Sequence, residues 1–147
     1  MVSKAFVDTN VLLRAMTPAM ELHAEAEKLI QEQWDHNVEL WLSRQIIREY
    51  LVQVTRPQAF MRPLSANQID GQVQTIESLF RIAEDGPSVT AQLVELIRRY
   101  PTGGKQIHDA NIVATMLVHG IPTLITTNLE DMQRFADRIS LIHLNSL

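Results

Sequence analysis

Short apolar runs alternate with amphipathic segments along most of this sequence, and that alternation constrains the fold more than any other feature. The amphipathic segments carry apolar residues three or four positions apart, which is the spacing of one helix face. The apolar runs are short enough to be buried strands and lie at residues 5–7, 38–42, 80–83, 121–126 and 139–143. Strands that alternate with helices form a parallel sheet. The pattern therefore predicts an α/β fold with a short-stranded, mainly parallel sheet flanked by helices.

Residue types that begin or end helices mark the boundaries of the amphipathic segments. Ser43 and Ser65 are expected to cap two of the helices, because serine accepts hydrogen bonds from free backbone N–H groups. Pro87 is suited to open another helix, and Gly120 to end the one before the fourth strand. A short last helix is predicted over residues 129–136.

The length and composition limit the kind of protein this can be. The chain has 147 residues, the size of one domain, so a single domain spanning residues 1–147 is expected. It contains no cysteine, which excludes disulfides, zinc–thiolate sites and cysteine nucleophiles. No apolar run approaches the roughly 18 residues of a membrane span, and no signal-type segment opens the chain. We therefore expect a cytoplasmic location with no membrane partner.

Acidic residues outnumber basic ones, with 17 Asp and Glu against 13 Lys and Arg, so the net charge is -4. That balance argues against a protein that holds nucleic acid by bulk positive charge alone. The negative net charge does not exclude an enzyme that binds nucleic acid through a metal ion. Without such an ion, a chain of this charge is expected to hold RNA poorly.

Polar residues follow two of the predicted strands at the point where each strand ends. Asp8 comes directly after the first strand, and Thr126 and Asn128 end the fourth in the same way. Ligands of open α/β sheets bind at the carboxyl ends of the strands, so these side chains are expected to share one edge. Each also has a structural interpretation, because Asp and Asn commonly occupy turns and helix caps.

Asp109 lies in the first turn of the helix predicted over residues 106–119. At about 100° per residue it points between Val113 and Met116, on the inward side. The same arithmetic places Val118 on the apolar face and Thr115 on the polar face. The helix dipole stabilises an anion in the first turn. A carboxylate that points inward still needs a partner, and a metal ion would be one.

Glu49 lies about 60° outside Ile46, on the flank of its helix's apolar face. A glutamate in such a place is usually solvated or paired with a nearby cation such as Arg48 or Arg56. Taken alone, the helical spacing favours that interpretation.

Three widely separated carboxylates, those of Asp8, Glu49 and Asp109, could meet at one sheet edge. Mg²⁺ and Mn²⁺ prefer carboxylate and water oxygens, often with two or three protein carboxylates.

The sequence excludes a P-loop nucleotide enzyme, since it has no glycine-rich loop ending in Lys-Ser/Thr. A phosphatase with an aspartyl nucleophile would typically have a second Asp at the position of Asn10.

Four segments together resemble the motifs of PIN-domain ribonucleases. They are FVDTNVLL (6–13), SRQIIREY (43–50), IHDANIVA (107–114) and ITTNLEDM (125–132), and they occur in the order found in that family. The length is similar to that of the VapC-type toxins of type II toxin–antitoxin pairs. Each motif is weak by itself, but four in order with suitable spacing carry a specific resemblance to a PIN-like domain.

The resemblance implies roles for individual residues. It makes three carboxylates the catalytic metal ligands for Mg²⁺ or Mn²⁺, namely Asp8, Glu49 and Asp109. Thr126 would hold Asp8 in place, and Thr9 and Asn10 would support the site.

At Asn128 the sequence departs from the family pattern, which often has a fourth acidic residue there. An asparagine can ligate through its carbonyl oxygen but adds no charge. The occupancy of a second metal site would therefore depend on Asn128 and on the nearby Asp131.

The function implied by the resemblance is metal-dependent endonucleolytic hydrolysis of RNA, with single-stranded or loop RNA as the substrate. It further implies a toxin that pairs with a small antitoxin protein and forms a homodimer. Two alternatives remain open: a housekeeping PIN nuclease, and a non-catalytic PIN-like module that binds RNA or protein.

Overall fold

A five-stranded sheet forms the centre of the computed structural model, which describes residues 2–59 and 61–144. Residues 1, 60 and 145–147 of the predicted domain 1–147 therefore lie outside the described residues. The strands are β1 (Lys4–Val7), β2 (Glu39–Ser43), β3 (Arg81–Ala83), β4 (Thr123–Thr126) and β5 (Ser140–His143). Their order is β3-β2-β1-β4-β5, and all neighbours pair in parallel. This confirms the predicted α/β class and parallel sheet.

Helices connect the strands. They are α1 (Thr9–Met16), α2 (His23–Asp35), α3 (Arg44–Val54), α4 (Ala66–Leu79), α5 (Pro87–Arg99), α6 (Gln106–Val118) and α7 (Leu129–Met132). The helix predicted over residues 129–136 is shorter, because a 3-10 turn, Gln133–Phe135, replaces its second half. In the described ranges, no helix is both long and apolar enough to cross a membrane.

The helix caps agree with the predictions except at Ser43. Ser65 and Gln68 form a reciprocal capping box at the start of α4, and Pro87 is the first residue of α5. Ser43 precedes α3, but its side chain accepts no capping hydrogen bond. It is also the last residue of β2, and its hydroxyl is buried without a hydrogen-bond partner among the described residues. Ser43 therefore occupies the predicted N-cap position, but the capping hydrogen bond expected from its side chain is not formed.

The two central strands fix the position of the polar residues that follow them. Val7 of β1 pairs with Ile125 of β4, and both are fully buried. The backbone N–H of Asp8 donates to the Ile125 carbonyl at 3.0 Å, so the pairing extends one residue past β1. Because the strands are parallel and in register, Asp8 and Thr126 emerge side by side at the carboxyl edge of the sheet.

Candidate active site

A cleft of about 240 Å³ opens at the carboxyl edge of β1 and β4. It is lined by Asp8, Thr9, Asn10, Glu49, Val52, Gln53, Asp109 and Asn128. The structure thus brings all three predicted carboxylates into one cleft, together with two of the predicted supporting residues, Thr9 and Asn10, and the possible ligand Asn128. Thr126 and Asp131 are not in the lining but contact residues that are.

Asp8 is held by hydrogen bonds to both of its carboxylate oxygens and is only 6% exposed. Its Oδ1 accepts from the Thr9 backbone N–H at 2.8 Å, and its Oδ2 accepts from the Thr126 hydroxyl at 2.7 Å. The Thr126 hydroxyl in turn accepts from the Asn128 N–H at 2.9 Å. Asp8 therefore caps α1 and also lines the cleft, so its role as a cap does not prevent it from facing a ligand there.

Burial raises the pKa of the Asp8 carboxyl above its ordinary value, because a charged carboxylate loses solvation there. The hydrogen bonds from Thr126 and Thr9 act in the opposite direction, and the charge of Glu49 adds to the rise. A charged Asp8 is therefore disfavoured by its own surroundings unless a cation is near.

Glu49 is held on both sides within the cleft. Its Oε1 accepts from the Thr9 hydroxyl at 2.6 Å, and its Oε2 accepts from the Gln45 amide at 2.9 Å. In the part of the chain that the structure describes, Glu49 forms no salt bridge with Arg48 or Arg56. The ion pair that helical spacing allowed for is therefore not formed, and hydrogen bonds hold the partly buried Glu49 carboxylate instead.

Asp109 extends from the first turn of α6 and is partly buried. Burial is the main cause that raises its pKa, to about 6, and the negative charges of Asp8, Asp131 and Glu49 raise it further. The positive charge of Arg134 acts weakly in the other direction. The three acidic side chains of the cleft therefore repel one another.

Asn128 and Asp131 bond to each other at the start of α7. The Asn128 amide donates to the Asp131 carboxylate at 3.0 Å, and the Asp131 N–H donates to the Asn128 side-chain oxygen at 3.4 Å. Asn128 thus lines the cleft while its side chain caps a helix. Asp131 acts on the cleft through its charge rather than by lining it.

The donor set of the cleft suits a hydrated divalent cation. None of its described lining residues is a lysine or arginine, so no side chain there neutralises the three carboxylates. Within residues 2–59 and 61–144, no three His, Cys, Asp or Glu side chains form a group that could hold a metal ion directly. Mg²⁺ is usually held by one or two carboxylates and keeps several waters. One or two of the carboxylates of Asp8, Glu49 and Asp109, with water as the remaining ligands, would satisfy that mode of binding.

Sequence reasoning missed three residues at the site, Gln45, Val52 and Gln53. Val52 and Gln53 line the cleft, and Gln45 donates to Glu49. They lie four residues before Glu49 and three and four residues after it. Residues at these spacings are neighbours on a helix surface, so the position of Glu49 could have indicated all three.

The family profile of the PIN domain matches residues 5–138. The chain belongs to the PIN domain family. This match confirms the resemblance drawn from the four motifs, and it includes every residue of the cleft. A comparison of the sequence with curated proteins gives no match.

Several solved structures share the fold of this PIN domain. VapBC2 from Rickettsia felis, bound to a promoter DNA fragment, has a TM-score of 0.69 at 16% identity, over 97% of this chain and 99% of that chain. A toxin–antitoxin complex from Klebsiella pneumoniae has a TM-score of 0.68 at 20% identity, over 97% and 99%. VapC20 from Mycobacterium tuberculosis, described as a Sarcin-Ricin loop cleaving toxin, has a TM-score of 0.61 at 16% identity, over 82% and 86%.

Proposed function

We propose that this PIN domain is a metal-dependent endoribonuclease that hydrolyses phosphodiester bonds in single-stranded or loop RNA. The observation that carries the proposal is the meeting of Asp8, Glu49 and Asp109 in one cleft that contains no basic side chain. Family membership supports a nuclease, and one protein of the same fold is described as cleaving the Sarcin-Ricin loop.

Some side chains of the cleft would bind the cation, and others fix the orientation of the side chains that bind it. Asp8, Glu49 and Asp109 would bind Mg²⁺ or Mn²⁺, with Asn128 able to contribute its amide oxygen. A bound divalent ion would supply an activated water and stabilise the charge that develops on the phosphate. Thr126 and Thr9 hold the Asp8 carboxylate in one orientation, so little reorganisation is needed when a cation arrives.

The charge of the cleft makes the metal a condition for binding as well as for hydrolysis. An RNA phosphate that approaches Asp8, Glu49 and Asp109 without a cation meets three like charges. The chain's net charge of -4 offers no compensating bulk attraction. RNA binding is therefore proposed to depend on the same ion as cleavage.

Metal removal tests the proposed activity. The purified protein is expected to cleave a single-stranded RNA in Mg²⁺ or Mn²⁺ and to stop when EDTA is added, with RNA binding lost at the same time. Gel analysis of labelled RNA follows cleavage, and fluorescence anisotropy follows binding. Cleavage that persists after thorough chelation would contradict the metal role. RNA binding without cleavage at any metal concentration would identify a non-catalytic binding module instead.

We also propose that the protein acts as a cytoplasmic toxin, as a homodimer, with a small antitoxin as its partner. One structure of this fold is described as a toxin–antitoxin complex and another as a toxin, which supports this role over that of a housekeeping nuclease.

Co-expression with the neighbouring gene tests the toxin role. A small protein is expected to co-purify with this chain in a stoichiometric complex, and the complex is expected to cleave RNA more slowly than the free chain. Size-exclusion chromatography with light scattering would measure the complex, and the free chain is the control. A free chain that is harmless on expression and gains no partner would favour the housekeeping nuclease.

A further inference from the structure

Gln45 is buried, with only 5% of its surface exposed, and both amide hydrogens and the amide oxygen form hydrogen bonds inside the protein. Its Nε2 donates to Glu49 Oε2 at 2.9 Å and to the His108 backbone carbonyl at 2.9 Å. Its Oε1 accepts from the Asn111 amide at 2.9 Å. A buried glutamine with both donors and its acceptor oxygen engaged is held in one conformation.

These partners determine which way the Gln45 amide faces. If the amide were turned over, its oxygen would face the Glu49 carboxylate and the His108 carbonyl, which are both acceptors. Its NH₂ group would then face the Asn111 NH₂ group, so two donors would meet. Asn111 cannot turn over to relieve that clash without losing its own bond to Asp85 Oδ2 at 3.2 Å. The network therefore keeps the Gln45 donors directed at Glu49.

The bonds of Gln45 also join two helices that carry different parts of the cleft. Gln45 and Glu49 belong to α3, and His108 and Asn111 belong to α6. His108 immediately precedes Asp109, so its carbonyl marks the position of the Asp109 backbone. One side chain thereby contacts the Glu49 carboxylate and the turn from which Asp109 extends.

We propose that Gln45 is a positioning residue that holds the Glu49 carboxylate in the cleft and fixes its placement relative to Asp109. Thr9 holds the other Glu49 oxygen from α1, so Glu49 is clamped from two sides. A glutamate side chain held in this way does not have to be ordered when a cation binds. The inference rests on the proposed function, since it concerns the same metal-binding cleft.

Gln45→Met tests this role, because methionine keeps the size of the side chain and removes both donors. Loss of a partner that orients a metal ligand typically weakens metal binding or activity about 10- to 100-fold. We expect the dissociation constant for Mn²⁺, measured by titration with EPR detection in the absence of RNA, to rise by that factor. The matched control is Gln72→Met, which loses the bond from the Tyr50 hydroxyl outside the cleft and should leave Mn²⁺ affinity unchanged.

A second variant keeps the test decisive if Gln45→Met does not fold, as judged by circular dichroism. Asn111→Ala leaves Gln45 in place but removes the group that holds its oxygen, and it should weaken Mn²⁺ binding in the same direction by a smaller factor. If Gln45→Met folds and binds Mn²⁺ with wild-type affinity, or if only Asn111→Ala folds and does so, the proposed role of Gln45 is overturned. A wild-type protein that binds no Mn²⁺ and cleaves no RNA refutes the proposed function, and this inference falls with it.

Discussion

Asp8→Asn is expected to lower the rate of metal-dependent RNA cleavage by at least about 10³-fold. A catalytic metal ion stabilises developing charge by several kcal/mol, and about 1.4 kcal/mol corresponds to a tenfold change in rate. Asp8 lines the cleft and has both oxygens held by hydrogen bonds, so its replacement removes a charged ligand that is already in a fixed position. Initial rates with a labelled RNA at saturating Mn²⁺ would measure the loss.

The same substitution is expected to leave the fold intact. Burial already disfavours the charged form of Asp8, as its raised pKa indicates, and asparagine is neutral and of nearly the same shape. The new side-chain oxygen can accept from the Thr9 N–H, and the new NH₂ group can donate to the Thr126 hydroxyl, whose own hydrogen then loses its acceptor. The relief of the buried charge and the loss of this hydrogen bond oppose each other, so the thermal unfolding midpoint in EDTA is expected to change little.

Asp137→Asn is the matched control for this substitution. Asp137 is exposed and outside the cleft, yet its carboxylate also accepts from a hydroxyl, that of Tyr100, at 2.9 and 2.8 Å. The Asp137→Asn variant should therefore cleave RNA at the wild-type rate. If Asp8→Asn and Asp137→Asn were equally active, Asp8 would have no part in the reaction.

The sheet and Asp8 were predictable because they depend on local features of the sequence. Continuous apolar runs such as residues 5–7 indicate strands buried on both faces, and a parallel sheet has its ligands at the carboxyl ends of its strands. An aspartate directly after such a run is therefore at the edge where ligands bind. Nothing beyond the neighbouring residues and the chain order is needed for that argument.

Glu49 could not be placed by periodicity because its surroundings come from distant parts of the chain. Thr9, which holds one of its oxygens, lies 40 residues earlier, and the helix of Asp109 lies much later. Helical spacing reports only which side of α3 Glu49 occupies. The four-motif resemblance supplied the missing information, since it groups residues by family rather than by local pattern.

Two predictions about the faces of α6 are wrong, one because of hydrogen bonding inside the helix and one because of the helix end. Thr115 was assigned to the polar face but is fully buried, and its hydroxyl donates to the Asn111 carbonyl at 2.8 Å. A threonine that bonds its own helix in this way behaves as an apolar residue in packing. Val118 was assigned to the apolar face but is 38% exposed, because it is the last residue of the helix.

Asp109→Asn is expected to stabilise the metal-free protein at neutral pH, and the gain should depend on pH. The pKa of Asp109 is about 6 in the folded protein, above its ordinary value of 3.8, so folding favours its protonated form. That stabilising contribution is fully present below about pH 4 and is lost as the pH rises through 6. At pH 7.5 the charged carboxylate opposes folding by about 1–3 kcal/mol, which asparagine avoids.

Urea unfolding of wild type and Asp109→Asn in EDTA would measure the difference at each pH. The variant is expected to be the more stable protein at pH 7.5, and the two curves should converge near pH 4. Divalent metal provides the control. An ion at a concentration 100 times its dissociation constant adds about 2.7 kcal/mol to the free energy of unfolding of a protein that binds it only when folded. Mn²⁺ should therefore stabilise the wild type strongly and the variant little, which offsets the advantage of the variant at pH 7.5. A stability difference that is the same at every pH, and that Mn²⁺ does not change, would show that Asp109 neither shares the charge of the cleft nor binds the ion.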